Sequence, residues 1–200
     1  RTNRGNPLQF LSRLCGGEAR AFSDYSLRLG KSPPTKPRSY GVVIMTSIHF
    51  KSEKQTWETP QDFFNKLDDL FGFTFDACAS SDNAKVSNYY TVEQNALIKD
   101  WQGVVWCNPP YGREQVKFIQ KAYDESVKHG STVVCLIPAR PDTKVWQGLI
   151  FAHADQVCFI KGRLKFGNSK DAAPFPSALI VFGDSRDLSE FGKCFCGVGA

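Results

Sequence analysis

Hydrophobic positions predict a first helix shortly after residue 58. Thr59 is expected to cap this helix, Pro60 fits its first turn, and Gly72 is expected to end it. Its apolar face is formed by residues spaced along one side of a helix, namely Phe63, Phe64, Leu67, Leu70 and Phe71.

Two further helices are predicted downstream, the later of them over residues 143–152. The earlier one ends at His129-Gly130. Its apolar stripe consists of Val116, Ile119, Tyr123 and Val127.

Short apolar runs between these helices predict strands. Residues 132–137 are continuously apolar, which favours a central, parallel strand covered on both faces. Alternation of strands and helices predicts an α/β fold built on a doubly wound, mostly parallel sheet. The other strands are predicted at residues 73–77, 88–91, 104–107, 157–160, 164–166 and 178–182.

Residues 1–44 differ in composition from the rest and are predicted to be disordered. They carry 8 of the 25 basic residues but only 2 of the 20 acidic ones. The only methionine is Met45, so one hypothesis is that translation starts there and the preceding segment is an untranslated upstream extension. A basic arm that follows phosphates is the competing interpretation. Residues 45–200 are predicted to form a single catalytic domain.

Cysteine usage and hydropathy favour a soluble cytoplasmic protein without a metal. The seven cysteines include no CxxC pair, and we interpret them as buried thiols in a reducing compartment. Cys194 and Cys196 alone do not make a zinc site, because no second ligand pair accompanies them. No apolar run approaches the roughly 20 residues that cross a bilayer, so we expect no membrane association.

Two loops that follow predicted strands carry the candidate chemistry, since ligands bind beyond the carboxyl ends of strands in such sheets. One is Asp76-Ala77-Cys78-Ala79-Ser80, where small residues follow an acid. The other is Asn108-Pro109-Pro110-Tyr111, directly after an apolar strand.

The second loop is rich in hydrogen-bond acceptors because its two prolines lack backbone N–H groups. The Asn108 side-chain oxygen and the Pro109 carbonyl can point toward one amino group, and the Tyr111 ring can lie on a flat heterocycle. Two such acceptors would make an aromatic amine more nucleophilic during transfer of a group to it. A simple turn is the alternative interpretation.

Several segments together resemble the phage DNA N6-adenine methyltransferase family. They are residues 56–60, 75–80, 106–111, 138–143 and 162–166. The likeness covers most of residues 55–183 and none of residues 1–44. It implies a methyltransferase sheet of the Rossmann-like type, S-adenosylmethionine as methyl donor, and catalysis at Asn108, Pro109, Pro110 and Tyr111.

The resemblance also implies a set of cofactor-binding residues near the first loop and the start of the first helix. Many relatives have a glycine-rich loop after the first strand, and this chain lacks those glycines. Asp76 could equally cap the end of its strand. The implied residues are Trp57, Thr59, Pro60, Asp76, Ala77, Cys78 and Asn95.

A DNA-binding surface must be a local patch, because residues 45–200 hold 17 basic and 18 acidic residues. The segment 161–170 concentrates four basic residues, including Arg163 and Lys165, although a solvated charged hairpin would look the same. Arg140 could hold a phosphate or form a surface ion pair. Phe166 and Phe175 could stack adenine opposite Tyr111 or belong to the core.

The sequence therefore predicts a DNA adenine-N6 methyltransferase of phage or restriction-modification type, with DNA as its partner. A relative that methylates RNA or protein glutamine is one alternative. A non-catalytic nucleic-acid-binding module is another, and S-adenosylmethionine should not stabilise such a module.

Overall fold

The computed structural model describes residues 57–167 and 169–197. The predicted disordered segment 1–44 and the domain start at Met45 lie outside the described residues and stay predictions. The described helical segments are α1 (Gln61–Phe71), a 3₁₀ turn (Ala96–Ile98), α2 (Gln115–His129), a π-helical segment (Trp146–Ile150) and α3 (Phe151–His153). The described strands are β1 (Phe75–Asp76), β2 (Val104–Cys107), β3 (Thr132–Pro138), β4 (Gln156–Ile160), β5 (Ser177–Phe182) and β6 (Gly192–Cys196).

The six strands form one sheet in the order β1-β2-β3-β5-β4-β6. Strands β1, β2 and β3 pair in parallel, whereas β5 is antiparallel to both β3 and β4, and β6 is antiparallel to β4. The α/β prediction is confirmed. The expectation of a mostly parallel sheet is wrong, because three of the five strand pairs are antiparallel.

The direction of β5 could not be read from its hydrophobic pattern. All six of its residues are buried, as are all seven of β3. A strand covered on both faces is continuously apolar whichever way it runs, so burial was predictable and direction was not.

Apolar side chains cover both faces of the sheet. On one face, Ile119 and Ala122 of α2 pack with β3 residues that include Val133 and Cys135. On the other face, α1 packs against Trp106 of β2 and the intervening β3 residues. The alternation along β3 therefore separates two cores, with helices against each.

Helix α1 follows its predicted apolar face but not its predicted cap. Phe64, Leu67 and Phe71 of the predicted apolar face are buried, but Leu70 is 36% exposed, contrary to its predicted place on that face. Gly72 closes the helix in the left-handed conformation. Pro60 precedes the first helical residue, and no side chain caps the end, so the prediction that Thr59 caps α1 is wrong. The Thr59 hydroxyl contacts the second candidate loop instead.

Other local predictions are corrected in detail. Val116 and Val127 of α2 are 46% and 68% exposed, because the buried stripe passes through Ala122 and Glu125 instead. Residues 88–91 contribute only an isolated bridge between Tyr89 and Asp76, and residues 164–166 form no strand.

Three of the described cysteines depart from the prediction of buried thiols. Cys158 of β4 and Cys194 of β6 face each other in the sheet and form a disulfide. Cys196 is exposed, whereas Cys107 and Cys135 are buried free thiols. The cross-strand register that joins the pair was not visible in the sequence, because β6 was not predicted.

No helix among the described residues is long and apolar enough to span a membrane.

Candidate active site

The parallel strands bring the candidate loops to one edge of the sheet. Phe75 lies beside Val105, and Cys107 lies beside Cys135, so the carboxyl ends of β1, β2 and β3 meet at the same edge. The loops that begin at residues 77, 108 and 139 leave the sheet there. This edge is where ligands bind in open α/β sheets.

A cavity of about 1210 Å³ lies along this edge. It exceeds the volume that a single small ligand occupies, which leaves room for a cofactor and part of a second molecule. Its wall combines both candidate loops, the start of α1 and the segment around residue 167. Residues from these four regions that line it include Trp57, Thr59, Asp76, Ala77, Cys78, Asn108, Pro109, Pro110, Phe166 and Gly167.

Asn108 is anchored by its amide nitrogen. Its Nδ2 donates to the backbone carbonyl oxygen of Trp57 and to Oγ1 of Thr59, the latter at 3.0 Å. The side-chain oxygen of Asn108 is buried and has no hydrogen-bond partner in the described structure. A buried acceptor without a partner is costly unless a ligand supplies the donor.

The Trp57 carbonyl fixes the orientation of the Asn108 amide, that is, which of its two ends carries the NH₂ group and which carries the oxygen. A carbonyl oxygen only accepts hydrogen bonds, so it must face the NH₂ group of Asn108 and not its oxygen. The free Oδ1 is therefore a consequence of the contacts and does not depend on an arbitrary amide assignment.

The prolines behave as the sequence predicts. Pro109 is buried and Pro110 half-buried, and neither has a backbone N–H to offer. None of the backbone hydrogen bonds of the described loops ends on the Pro109 carbonyl. The loop thus presents two acceptors, the side-chain oxygen of Asn108 and the carbonyl of Pro109.

Four aromatic rings pack together beside Asn108. Trp57 lies edge-on to Phe166 and Phe175, with ring centroids 5.4 and 5.0 Å apart. Tyr111 lies edge-on to the same two phenylalanines and nearly parallel to Trp57, with centroids 6.4 Å apart. The structure thus brings both predicted stacking residues next to Tyr111. Of these four, only Trp57 and Phe166 line the cavity, and Phe175 packs in the core behind them.

Tyr111 is not suited to act as a base. Burial raises the pKa of its hydroxyl well above the ordinary value. The hydroxyl makes one long contact of 3.5 Å with the Leu136 carbonyl oxygen. Among the described residues, none of those that line the cavity is a histidine.

Asp76 organises the first loop. The residue is 2% exposed, and its two carboxylate oxygens accept the backbone N–H groups of Cys78 and Lys85, each at 3.1 Å. Burial is the main cause that raises the pKa of Asp76, and these two hydrogen bonds oppose it. The strand-end capping interpretation of Asp76 therefore has direct geometric support.

Most of the predicted cofactor residues meet at the cavity. Trp57, Thr59, Asp76, Ala77, Cys78 and Asn95 all line it, whereas Pro60 does not. Pro60 instead accepts the Phe64 N–H through its carbonyl oxygen at the start of α1. Asn95 has a φ of 51°, in the left-handed region that few residues other than glycine adopt. Such backbone strain often marks a functional site.

Lys85 is a cavity residue that the sequence did not reveal. Its side chain is 7% exposed and lies 3.8 Å from the Glu58 carboxylate. Its Nζ also donates to Oε1 of Gln61. No motif surrounds Lys85, and its position depends on a loop that returns to α1, so only the fold could have identified it.

The predicted DNA-binding cations remain on the surface. Arg163 and Lys165 are exposed on either side of the half-buried Leu164, and the next residue, Phe166, is buried and lines the cavity. Arg140 is also exposed and follows β3 at the same sheet edge. None of the three forms an ion pair with another described residue. The surface-ion-pair interpretation of Arg140 is thus not supported within the described part of the chain.

The thiols near the cavity are poor nucleophiles. Cys78 and Cys107 lie with their sulfur atoms 3.7 Å apart. Burial is the largest cause that raises the pKa of each thiol above its ordinary value. A covalent mechanism through either cysteine is therefore unfavourable at neutral pH.

Residues 46–182 match the family described as DNA N-6-adenine-methyltransferase (Dam). The chain belongs to this family. The sequence-based assignment to this family and to its enzyme class is therefore confirmed.

Two phage proteins named DNA N-6-adenine-methyltransferase are similar to this member of the family. The protein of Haemophilus phage HP1 is 36% identical over 141 residues, which cover 66% of this chain and 80% of the relative. The protein of Escherichia phage T1 is 32% identical over 115 residues, which cover 56% of this chain and 47% of the relative. The alignment thus spans less than half of the T1 protein.

Proposed function

We propose that this chain transfers the methyl group of S-adenosylmethionine to N6 of adenine in DNA, and that its mixed sheet is of the Rossmann-like methyltransferase type. The observation that carries the proposal is the buried, unpaired Oδ1 of Asn108, held beside the cavity by two contacts on the opposite end of the same amide.

The exocyclic amine of adenine is a weak nucleophile because its lone pair is delocalised into the ring. Asn108 Oδ1 and the Pro109 carbonyl would each accept one hydrogen of this amine. As the nitrogen attacks, it becomes positively charged, and both oxygens stabilise that charge without reorganising. The donor would leave as the neutral thioether S-adenosylhomocysteine, and the methylated nitrogen would then release one proton to water, because an aminium group attached to an aromatic ring is strongly acidic. Neither a strong base nor a covalent intermediate is required, in keeping with the raised pKa values of Tyr111 and the thiols.

The cavity fits the proposed cofactor in size and composition. S-adenosylmethionine, when bound, supplies an electrophilic methyl group. The small residues Ala77 and Cys78 line the wall and leave backbone accessible to a ligand. Asp76 holds this loop, and Asn95 also lines the cavity. We assign the cofactor to this region of the cavity, next to Asn108.

The aromatic cluster supports a flat substrate. Trp57 and Phe166 line the cavity that Asn108 also lines, and Tyr111 packs against both of these rings. An adenine turned out of the duplex would lose a few kcal/mol of stacking, which contacts with such rings restore. Trp57 also has a buried ring N–H without a partner, which could pair with a ring nitrogen of adenine.

The exposed cations supply the DNA contacts in this proposal. Arg163 and Lys165 directly precede Phe166 in the chain, and Arg140 leaves the same sheet edge as the catalytic loop. Phosphate contacts of this kind give affinity and orientation but not sequence preference. The proposed site of action is accordingly the DNA-containing cytoplasm of a bacterial or phage-infected cell.

The test is to incubate the protein with S-adenosylmethionine carrying a labelled methyl group and, separately, with DNA, RNA and protein. The products are then digested to nucleosides or amino acids. Label in N6-methyl-2′-deoxyadenosine is the expected result. Label confined to RNA, to protein glutamine or to N4-methylcytosine would overturn the substrate. Absence of transfer together with no thermal stabilisation by the cofactor would indicate a non-catalytic module.

A further inference from the structure

Thr59 contacts the catalytic loop, although it lies 49 positions before Asn108 in the chain. It is 3% exposed, so its hydroxyl has little access to water. The hydroxyl oxygen accepts a hydrogen bond from the side-chain amide nitrogen of Asn108, and the Trp57 carbonyl oxygen accepts a second one from the same nitrogen. Both hydrogens of the amide are thus engaged.

The two contacts constrain different motions of Asn108. The Trp57 carbonyl excludes the flipped amide, because it can only accept. The Thr59 hydroxyl, as the second anchor, restricts rotation of the amide plane about its attachment to the chain. Without it, Oδ1 could swing away from the position where an amine would need it, and a small misplacement of a reacting group is costly.

Thr59 itself is held by a rigid element. The next residue, Pro60, accepts the Phe64 N–H within the first turn of α1, and α1 buries Phe64 and Leu67 in the core. A site supported from a packed helix is placed more accurately than one supported from a loop.

We infer that Thr59 is a positioning residue for methyl transfer, whose hydroxyl sets the orientation of the Asn108 amide and hence of its free oxygen. This inference rests on the proposed function. It differs from the role in cofactor binding that the sequence predicted for Thr59.

The experiment compares Thr59→Val, which keeps the shape but loses the hydroxyl, with Thr59→Ser, which keeps the hydroxyl. Loss of one neutral hydrogen bond in the transition state should lower kcat about 5- to 10-fold in the valine variant. The KM for DNA and the Kd for S-adenosylhomocysteine should stay within about 3-fold, and the serine variant should regain most of kcat. Thr132→Val is a matched control, because Thr132 is also buried and its hydroxyl oxygen accepts a hydrogen bond, that of the Asp184 backbone N–H, away from the cavity.

A second measurement separates positioning from a general structural effect. In an Asn108→Ala background, Thr59→Val should cause no further loss of single-turnover rate, because the amide that it positions is gone. Thermal unfolding identifies variants that fold, and Thr59→Ala replaces the valine variant if that one does not.

Equal fractional losses in both backgrounds would overturn the inference, as would a weakened cofactor Kd with unchanged kcat. Wild-type activity on DNA adenine, measured in the same series, shows separately whether the proposed function holds. A wild-type protein that methylates adenine while Thr59→Val matches its kcat would refute the role of Thr59 alone.

Discussion

Asp76→Ala tests whether the first loop is held in place by a buried carboxylate. The change removes the acceptor for two backbone N–H groups, those of Cys78 and Lys85. Hydrogen bonds to a charged group contribute about 1.5–3 kcal/mol each. Burial opposes ionisation of Asp76, as its raised pKa shows, and offsets part of this gain. We therefore expect the free energy of unfolding to fall by about 2–4 kcal/mol.

The loop that Asp76 holds also lines the cavity, so cofactor affinity should fall with stability. Ordering a loosened loop on binding costs free energy, and we expect the Kd for S-adenosylhomocysteine to rise about tenfold. Urea unfolding gives the first quantity, and titration calorimetry at a temperature where the variant is folded gives the second.

Asp187→Ala is the matched control. Its carboxylate also accepts a backbone N–H, that of Ser189 at 2.9 Å, but Asp187 is exposed and does not line the cavity. Asp187→Ala should change neither the free energy of unfolding nor the Kd for S-adenosylhomocysteine appreciably. If Asp76→Ala lost stability but bound S-adenosylhomocysteine as tightly as the wild type, the loop would not depend on Asp76 for its binding geometry.

Three further predictions concern pH, the aromatic ring and salt. Because burial raises the pKa of Asp76 on folding, the folded state binds this proton more tightly than the unfolded chain does. The stability advantage of wild type over Asp76→Ala in urea unfolding should thus increase as pH falls from neutral toward about 3.9, the ordinary pKa of an aspartate in an unfolded chain. A constant difference over this range would contradict the assignment. Tyr111→Phe should keep kcat within about 3-fold, whereas Tyr111→Ala should lower kcat about 10-fold or more, because the aromatic ring and not the hydroxyl is proposed to support the substrate. Similar losses of kcat in both variants would refute this proposal. Lys165→Gln should reduce the slope of log affinity for DNA against log salt concentration by about 1. The control Lys117→Gln, which removes a lysine already paired with Glu114, should leave this slope unchanged. Equal slopes for Lys165→Gln and wild type would exclude a phosphate contact at Lys165.

The local elements were predictable because they depend on short-range patterns. The periodic phenylalanines of α1 and the apolar run of β2 gave these elements nearly their observed bounds. Strand direction and the edge strand β6 were not predictable, because they depend on pairing between distant segments. Residues of β6 alternate between partly exposed and exposed, which leaves little hydrophobic signal.

The site was predictable where its chemistry is local and unpredictable where it is assembled by the fold. Asn108 and Tyr111 belong to one motif. The apolar strand directly before them predicts that their loop lies at the carboxyl edge of the sheet. The bond between Asn108 and Thr59 and the return of Lys85 toward Glu58 join segments far apart in sequence. A side chain such as Thr59, which looks like a helix cap, acquires another partner only when the sheet is formed.

The measurement that tests the account most directly is the single-turnover rate of Asn108→Ala. The assay uses preformed complexes with labelled S-adenosylmethionine and adenine-containing DNA, at a temperature where both proteins are folded. Loss of one preorganised group that stabilises developing charge lowers rates about 100- to 1000-fold in comparable sites. We predict a loss of that size, with the Kd for S-adenosylhomocysteine within about 3-fold of wild type. A variant that forms N6-methyladenine at the wild-type rate would contradict the role of the free Asn108 oxygen.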